Sequence, residues 1–233
     1  MQHTQGMLRF TPILLALLYG VIMYRFSVWR TNRELASQSN ELVDPQLGAL
    51  TNRMADALEL EKIRVHLYEI DPVNGLAAPD GKIYITRGFY RKFIDGEVTA
   101  AELASVVAHE LGHVALGHSR RRMIDFSGQN ALRTALAMIL SRFIPGIGGW
   151  IANFLTTMLA ARLSRGDEYE ADEYAAALLI KSGIGTAPQI SLLRKLEALT
   201  KSGRGAAPAW LMSHPKTLDR IAAIEKIEAD WRK

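Results

Sequence analysis

Apolar positions along the chain fall into stretches of different period, and each stretch predicts an element. Phe10 to Tyr24 carries no charge and is bracketed by Arg9 and Arg25. About 15 residues is short for a membrane span, and better suits a secretory core segment. No small-residue cleavage site follows, however. If Arg25 snorkels, the stretch to Trp29 gives about 20 residues, roughly 30 Å of helix. Residues 1–30 are therefore expected to form an uncleaved single-pass anchor, with Tyr24 and Trp29 at the interface. The polar residues 31–43 read as a linker, and residues 44–233 as one domain.

Within that domain Asp44-Pro45 supplies a cap and a first helical position. Leu47, Leu50, Met54, Ala57 and Leu58 then follow a helical period, predicting a helix over about 45–60. Val65–Ile70 alternates like a strand. Pro79-Asp80-Gly81 marks a turn between a short run, Gly75–Ala78, and a strand over Lys82–Thr86. Thr99 and Glu102 form a capping-box pair that opens an apolar helix ending near Gly117. Phe143–Ala161 is again uncharged. Pro145–Gly149 interrupts that region, so two helices in a hairpin are expected, touching a bilayer surface. The second should run from about Trp150 to Lys181. Further helices are expected over 186–200 and 215–231, separated by the Gly/Ala-rich loop 201–209. The fold class is α+β, predominantly helical, with a small sheet.

Composition excludes more than it suggests. The chain has 233 residues, 48% hydrophobic and 22% charged, enough for a sizeable core. It has no cysteine. Disulfide scaffolds, Cys-ligated zinc, iron–sulfur clusters and thiol nucleophiles are ruled out, so any metal must be held by His and carboxylates. A net charge of +4 calls for no nucleic acid.

The chemistry concentrates at His109-Glu110-Leu111-Gly112-His113, an H-E-x-x-H pattern inside the capped helix. Histidines four apart share one helical face, so both rings can hold one Zn²⁺. Glu110 is placed to act as general base toward water activated by that zinc. His118, carried on around the same helix, falls on its far side and reads as a surface or capping histidine. A carboxylate cluster downstream, Asp167, Glu168, Glu170, Asp172 and Glu173, offers a further ligand. Glu168 and Asp172 share an otherwise apolar helical face, whereas Glu170 and Glu173 point elsewhere. The competing reading is a solvated acidic face paired with Arg162 and Arg165.

HELGHVALGHSRRR, SRGDEYEADEYA and SHPKTLDRI together resemble the HtpX-like and type-one CAAX prenyl protease family of gluzincin zinc peptidases. NGLAAPDGKIYITRG is similar to that family's strand pair beside the active site, with Gly75 and Asp80 departing from its usual residues. The resemblance covers roughly residues 44–230. It implies a gluzincin-like fold with one Zn²⁺ per chain on His109, His113 and Glu168, and Glu110 as base. It also implies that Asp172 is an outer carboxylate fixing one ligand histidine. His214 and Arg220 would be late site residues, His214 steadying the oxyanion or ligating zinc transiently. Gly75, Leu76, Ala77 and Ala78 would form the strand to which an extended substrate adds.

The implied activity is a membrane-anchored zinc metalloendopeptidase acting on unfolded or membrane-associated proteins. Its rivals are a zinc-binding, chaperone-like scaffold and a metal-free binding module. Basic residues around the anchor favour a cytoplasmic domain. The short single-domain members that the chain resembles favour the cell envelope, and that side is the one expected here.

Overall fold

The computed structural model describes residues 2–118, 121, 133, 136–144, 146–201, 214 and 217–231. Its elements are α1 (Gln2–Ser37), β1 (Ser39–Glu41), α2 (Pro45–Ala57), β2 (Val65–Tyr68), β3 (Gly75–Ala77), β4 (Ile83–Thr86), α3 (Arg87–Ile94), α4 (Ala100–Ala115), α5 (Gly148–Lys181), α6 (Ala187–Lys201) and α7 (Thr217–Trp231). Contacts divide the chain into two compact units, residues 1–34 with 120–160, and residues 35–119 with 161–233.

In the first unit, residues 136–143 are helical and the chain reverses before α5. Gly146 adopts a left-handed conformation (φ 87°). A side chain at Gly148 would meet the backbone of Leu140 and Ser141, so the hairpin expected at the Pro145–Gly149 break closes tightly. Much of the segment expected to lead into this hairpin lies outside the described residues, as does the loop from 202 to 209. Leu18, Tyr19, Val21, Ile22, Phe26 and Trp29 are exposed, and so are Phe143, Ile147, Trp150, Phe154 and Leu155. Among the described residues no helix is long and apolar enough to cross a membrane. The expected spanning anchor therefore has no counterpart there. The uncharged run between Arg9 and Arg25 is too short, and α1 continues through the polar residues Thr31 to Ser37.

The second unit is built around α4. Asp44 caps α2, accepting from the backbone N–H groups of Gln46 and Leu47, with Pro45 opening the helix. The four-stranded sheet has the order β1-β2-β4-β3. β1 and β2 are antiparallel, β2 and β4 parallel, and β3 and β4 antiparallel. The register places Gly75 opposite Ile85 and Ala77 opposite Ile83. β3 is thus an outer strand, beside α4. Two elements carry no clear sequence signal. β1 has only three polar residues, and α3 is capped by Thr86, the last residue of β4. Gly88 allows that start, because a Cβ there would overlap the Asp71 carbonyl oxygen.

Met54 (α2), Ile85 (β4), Phe89 (α3), Leu103 and Val107 (α4), Leu179 (α5), Leu193 (α6) and Ile224 (α7) all belong to one core. α4 is buried from Glu102 to His113 except at Leu111, so it is a central helix rather than an amphipathic surface one. The capping box is formed: Glu102 N–H donates to Thr99 Oγ1 (3.2 Å) and Thr99 N–H to Glu102 Oε2 (2.8 Å). α6 joins it, with Ser191 Oγ donating at 2.7 Å and Lys195 Nζ at 2.8 Å to the same carboxylate. Burial pushes the Glu102 carboxyl up, but these donors outweigh it and hold it below its ordinary 4.5. Its stabilising contribution is present above that ordinary value and is lost as pH falls through the lowered folded one. Glu102→Gln should cost about 1–2 kcal/mol at neutral pH. Urea unfolding at several pH values should show that deficit shrinking as acid protonates the wild-type carboxylate.

Candidate metal centre

Two helices supply the centre. α4 presents His109, Glu110 and His113, and α5 presents Glu168 and Asp172, one turn apart. Gly112 lets the helices meet. A Cβ there would lie 2.9 Å from the Ala171 carbonyl oxygen and 3.0 Å from Ala171 Cα, so any larger residue would push α5 away. This close approach seats Glu168 against both histidines.

The donor atoms converge. His109 Nε2 and His113 Nε2 are 3.1 Å apart. Glu168 Oε2 is 3.4 Å from His109 Nε2, and Glu168 Oε1 is 3.6 Å from His113 Nε2. A tetrahedral zinc with Zn–N bonds of 2.0–2.1 Å sets its donors about 3.3–3.4 Å apart. The three observed separations bracket that edge, so the residues present fit the metal. His214 completes a buried group of four potential ligands, all with donor atoms within 4.8 Å of one another. Its Nε2 is 3.9 Å from Glu168 Oε2 and 3.7 Å from Glu110 Oε1.

An outer layer orients this group. Asp172 Oδ1 accepts from His109 Nδ1 at 3.0 Å, so that Nε2 is the nitrogen that faces Glu168. Arg220, only 1% exposed on α7, grips Asp172 with two bonds, Nε to Oδ2 (2.6 Å) and Nη2 to Oδ1 (2.8 Å). Arg220 Nη1 also donates to the His214 carbonyl oxygen at 3.2 Å. Gln189 Nε2, on α6, lies 3.4 Å from both Asp172 O and Oδ1.

Electrostatics point the same way. Burial opposes charge on Glu168, but hydrogen bonding to His109 and the charges of His214, His109 and Arg220 prevail and hold its carboxyl far below the ordinary range. Asp172 is likewise lowered, with burial opposed chiefly by Arg220. Burial disfavours a charged His109, yet the carboxylates of Asp172 and Glu168 raise it to about 9. The point between the rings is thus a site that favours positive charge.

The structure brings together His109, His113, Glu168, Glu110, Asp172, His214 and Arg220. Gly75, the first of the strand residues, is adjacent: a Cβ there would lie 3.6 Å from Glu110 Oε1 and 2.7 Å from Val106 Cγ1. Leu76 and Ala77 complete β3, and Ala78 follows, its N–H donating to Lys82 O. His118 is not the surface residue expected. It is 0% exposed, and its Nδ1 lies 2.9 Å from His113 Nδ1. The helical extrapolation fails because α4 stops at Ala115, and Gly117 (φ 70°) turns the chain back. Glu170 does not point into empty solvent either, since its Oε2 is 3.1 Å from His118 Nε2. The glycine after the helix was the available signal. Gln189 had none.

The family model described as Peptidase family M48 matches residues 41–228. The chain belongs to that family. It is 29% identical to Metalloprotease LoiP of Escherichia coli, over 79% of this chain and 71% of the relative. It is 26% identical to Metalloprotease YcaL of the same organism, over 83% and 73%. It is also 27% identical to a Protease HtpX homolog of Salinibacter ruber, over 92% and 88%. Membership makes the chain a zinc metalloendopeptidase, a hydrolase of peptide bonds, as the H-E-x-x-H motif and its companions imply.

Proposed function

We propose that this chain is a membrane-attached zinc endopeptidase that cleaves unfolded or membrane-associated proteins. The observation that carries the metal assignment is the set of donor separations among His109, His113 and Glu168, close to the edges of a zinc tetrahedron. These three residues hold one Zn²⁺. When bound, zinc acidifies water and polarises a carbonyl group. Glu110, buried beside the ligands, takes the proton from water and delivers it to the leaving amine. His214, whose Nε2 is 3.7 Å from Glu110 Oε1, would steady the oxygen on which negative charge develops. Arg220 holds Asp172 and the His214 carbonyl in place.

The outer strand β3 gives an extended peptide a ladder to join at Gly75, Leu76, Ala77 and Ala78. Such pairing reads main chain rather than side chains, which suits unfolded substrates. Residues 1–30 serve as the attachment to the cell membrane, with 143–161 resting on its surface, and the chain then leads into the peptidase domain, whose sheet already includes β1 ahead of residue 44. The exposed apolar side chains of residues 18–29 and 143–155 support this. The envelope face is the side we assign.

The test uses the purified full chain. We expect one zinc per chain by elemental analysis, and hydrolysis of unfolded casein that chelator removes and zinc restores. Zinc without hydrolysis would favour a scaffold, and no zinc at all would remove the metal reading. For the membrane, the chain should stay with vesicles through a high-salt wash and be released on deleting residues 1–30. Release of the intact chain by salt alone would reject the attachment.

A further inference from the structure

Outside the ligand group, the described residues hold a second cluster of potential ligands, His118 and Asp167, which are buried, and Glu170, which is exposed. The ring of His118 is fully buried. Its Nδ1 is 2.9 Å from His113 Nδ1, and its Nε2 is 3.1 Å from Glu170 Oε2 and 3.7 Å from Asp167 Oδ1. Two ring nitrogens at that distance share one hydrogen, so one donates and the other accepts. The contact therefore has a direction, and the metal centre sets it. A neutral His113 that offers Nε2 to zinc carries its hydrogen on Nδ1. His118 Nδ1 is then the acceptor, its own hydrogen sits on Nε2, and Glu170 receives it.

We propose that His118 is a positioning residue for the metal centre: it accepts the His113 Nδ1–H and is itself fixed by Glu170 and Asp167. The two ligand histidines are thereby oriented by different means. His109 is held directly by the Asp172–Arg220 pair, whereas His113 is held through a second imidazole whose carboxylate partners lie one ring further out. All four carboxylates involved, Asp167, Glu168, Glu170 and Asp172, lie on α5. One helix therefore supplies a proposed ligand and both orienting arms, which explains why acidic residues crowd into this short segment.

The inference rests on His113 being a zinc ligand, and the experiment separates the two claims. Asn and Gln are both amides, but Asn places its oxygen near the imidazole Nδ1 position and Gln places its amide near Nε2. His118→Asn keeps an acceptor for His113, and His118→Gln does not. Zinc affinity of the full-length protein would be measured by competition with a chromophoric chelator, alongside the visible spectrum of the Co²⁺-loaded form. We expect His118→Gln to bind zinc about 10- to 100-fold more weakly, the usual scale for an outer partner, with a shifted cobalt spectrum. His118→Asn should stay within a few-fold of wild type. Glu170→Ala, at an exposed and fold-tolerant position, should weaken binding by a smaller factor. Equal affinity in His118→Gln and wild type would overturn the role of His118, as would equal losses in Gln and Asn, which would mean packing alone. Two metals per wild-type chain, the second lost in Glu170→Ala, would also overturn it and make the cluster a cation site. A wild-type chain that takes up no zinc would instead overturn the ligand assignment itself, and this inference with it.

Discussion

Glu110→Gln should abolish peptide hydrolysis while leaving zinc content and fold intact. The substitution changes one atom of a side chain that is 1% exposed, so its buried packing beside Gly75 of β3 survives. Glu110 is not among the proposed ligands, so the metal should stay. What disappears is the ability to accept a proton, because a neutral amide cannot do so at any useful pH. General-base catalysis typically contributes about 10²- to 10⁴-fold. Here Glu110 is asked both to receive a proton and to hand it on, so the loss should lie at the upper end. Casein turnover, zinc analysis and a thermal melt on one preparation would check all three parts. Near-normal turnover would place the base elsewhere, and His214, whose Nε2 is 3.7 Å from Glu110 Oε1, would be the first residue to examine.

The parts of this site that were readable in the sequence are those written at short range. His109, Glu110 and His113 follow one another on α4, and the Thr99–Glu102 box announces that helix about two to three turns earlier. Glu168 and Asp172 stand out because two carboxylates one turn apart interrupt an apolar face. What joins α4 to α5 is not local. It depends on Gly112 admitting the Ala171 backbone, a contact between residues 59 positions apart that periodicity does not encode. The pairing of Arg220 with Asp172 spans 48 positions, and the family resemblance named each as a site residue without pairing them. His118 shows the opposite failure, in which a local rule was carried too far. The helical wheel was extended through Gly117, where the helix had already ended. α3 and β1 escaped notice for a simpler reason. One begins without a break from a strand, and the other is too short and polar to carry a pattern.

Arg220→Met should produce a large loss of stability. Asp172 is 2% exposed, and its carboxylate is held by the Arg220 guanidinium with two bonds, at 2.6 and 2.8 Å. Removing the cation leaves a buried anion facing His109 and the weaker Gln189 contacts, and breaking such a pair costs about 3–5 kcal/mol. Asp172→Asn alone should cost a similar amount, since it leaves Arg220 buried with reduced compensation. The double variant Asp172→Asn/Arg220→Met removes both charges, so its penalty should fall well below the sum of the singles. Zinc affinity should follow a different course. His109 loses its charged partner in Asp172→Asn whether or not Arg220 remains, so zinc binding in the double variant should stay about 10- to 100-fold weak. Urea unfolding of the metal-free protein measures the first quantity, and chelator competition the second. If the double variant regained both stability and zinc affinity, the Asp172 carboxylate would have no orienting role toward His109. If the penalties simply added, the ion pair would carry no coupling, and the burial of Arg220 would have to be sustained by packing alone.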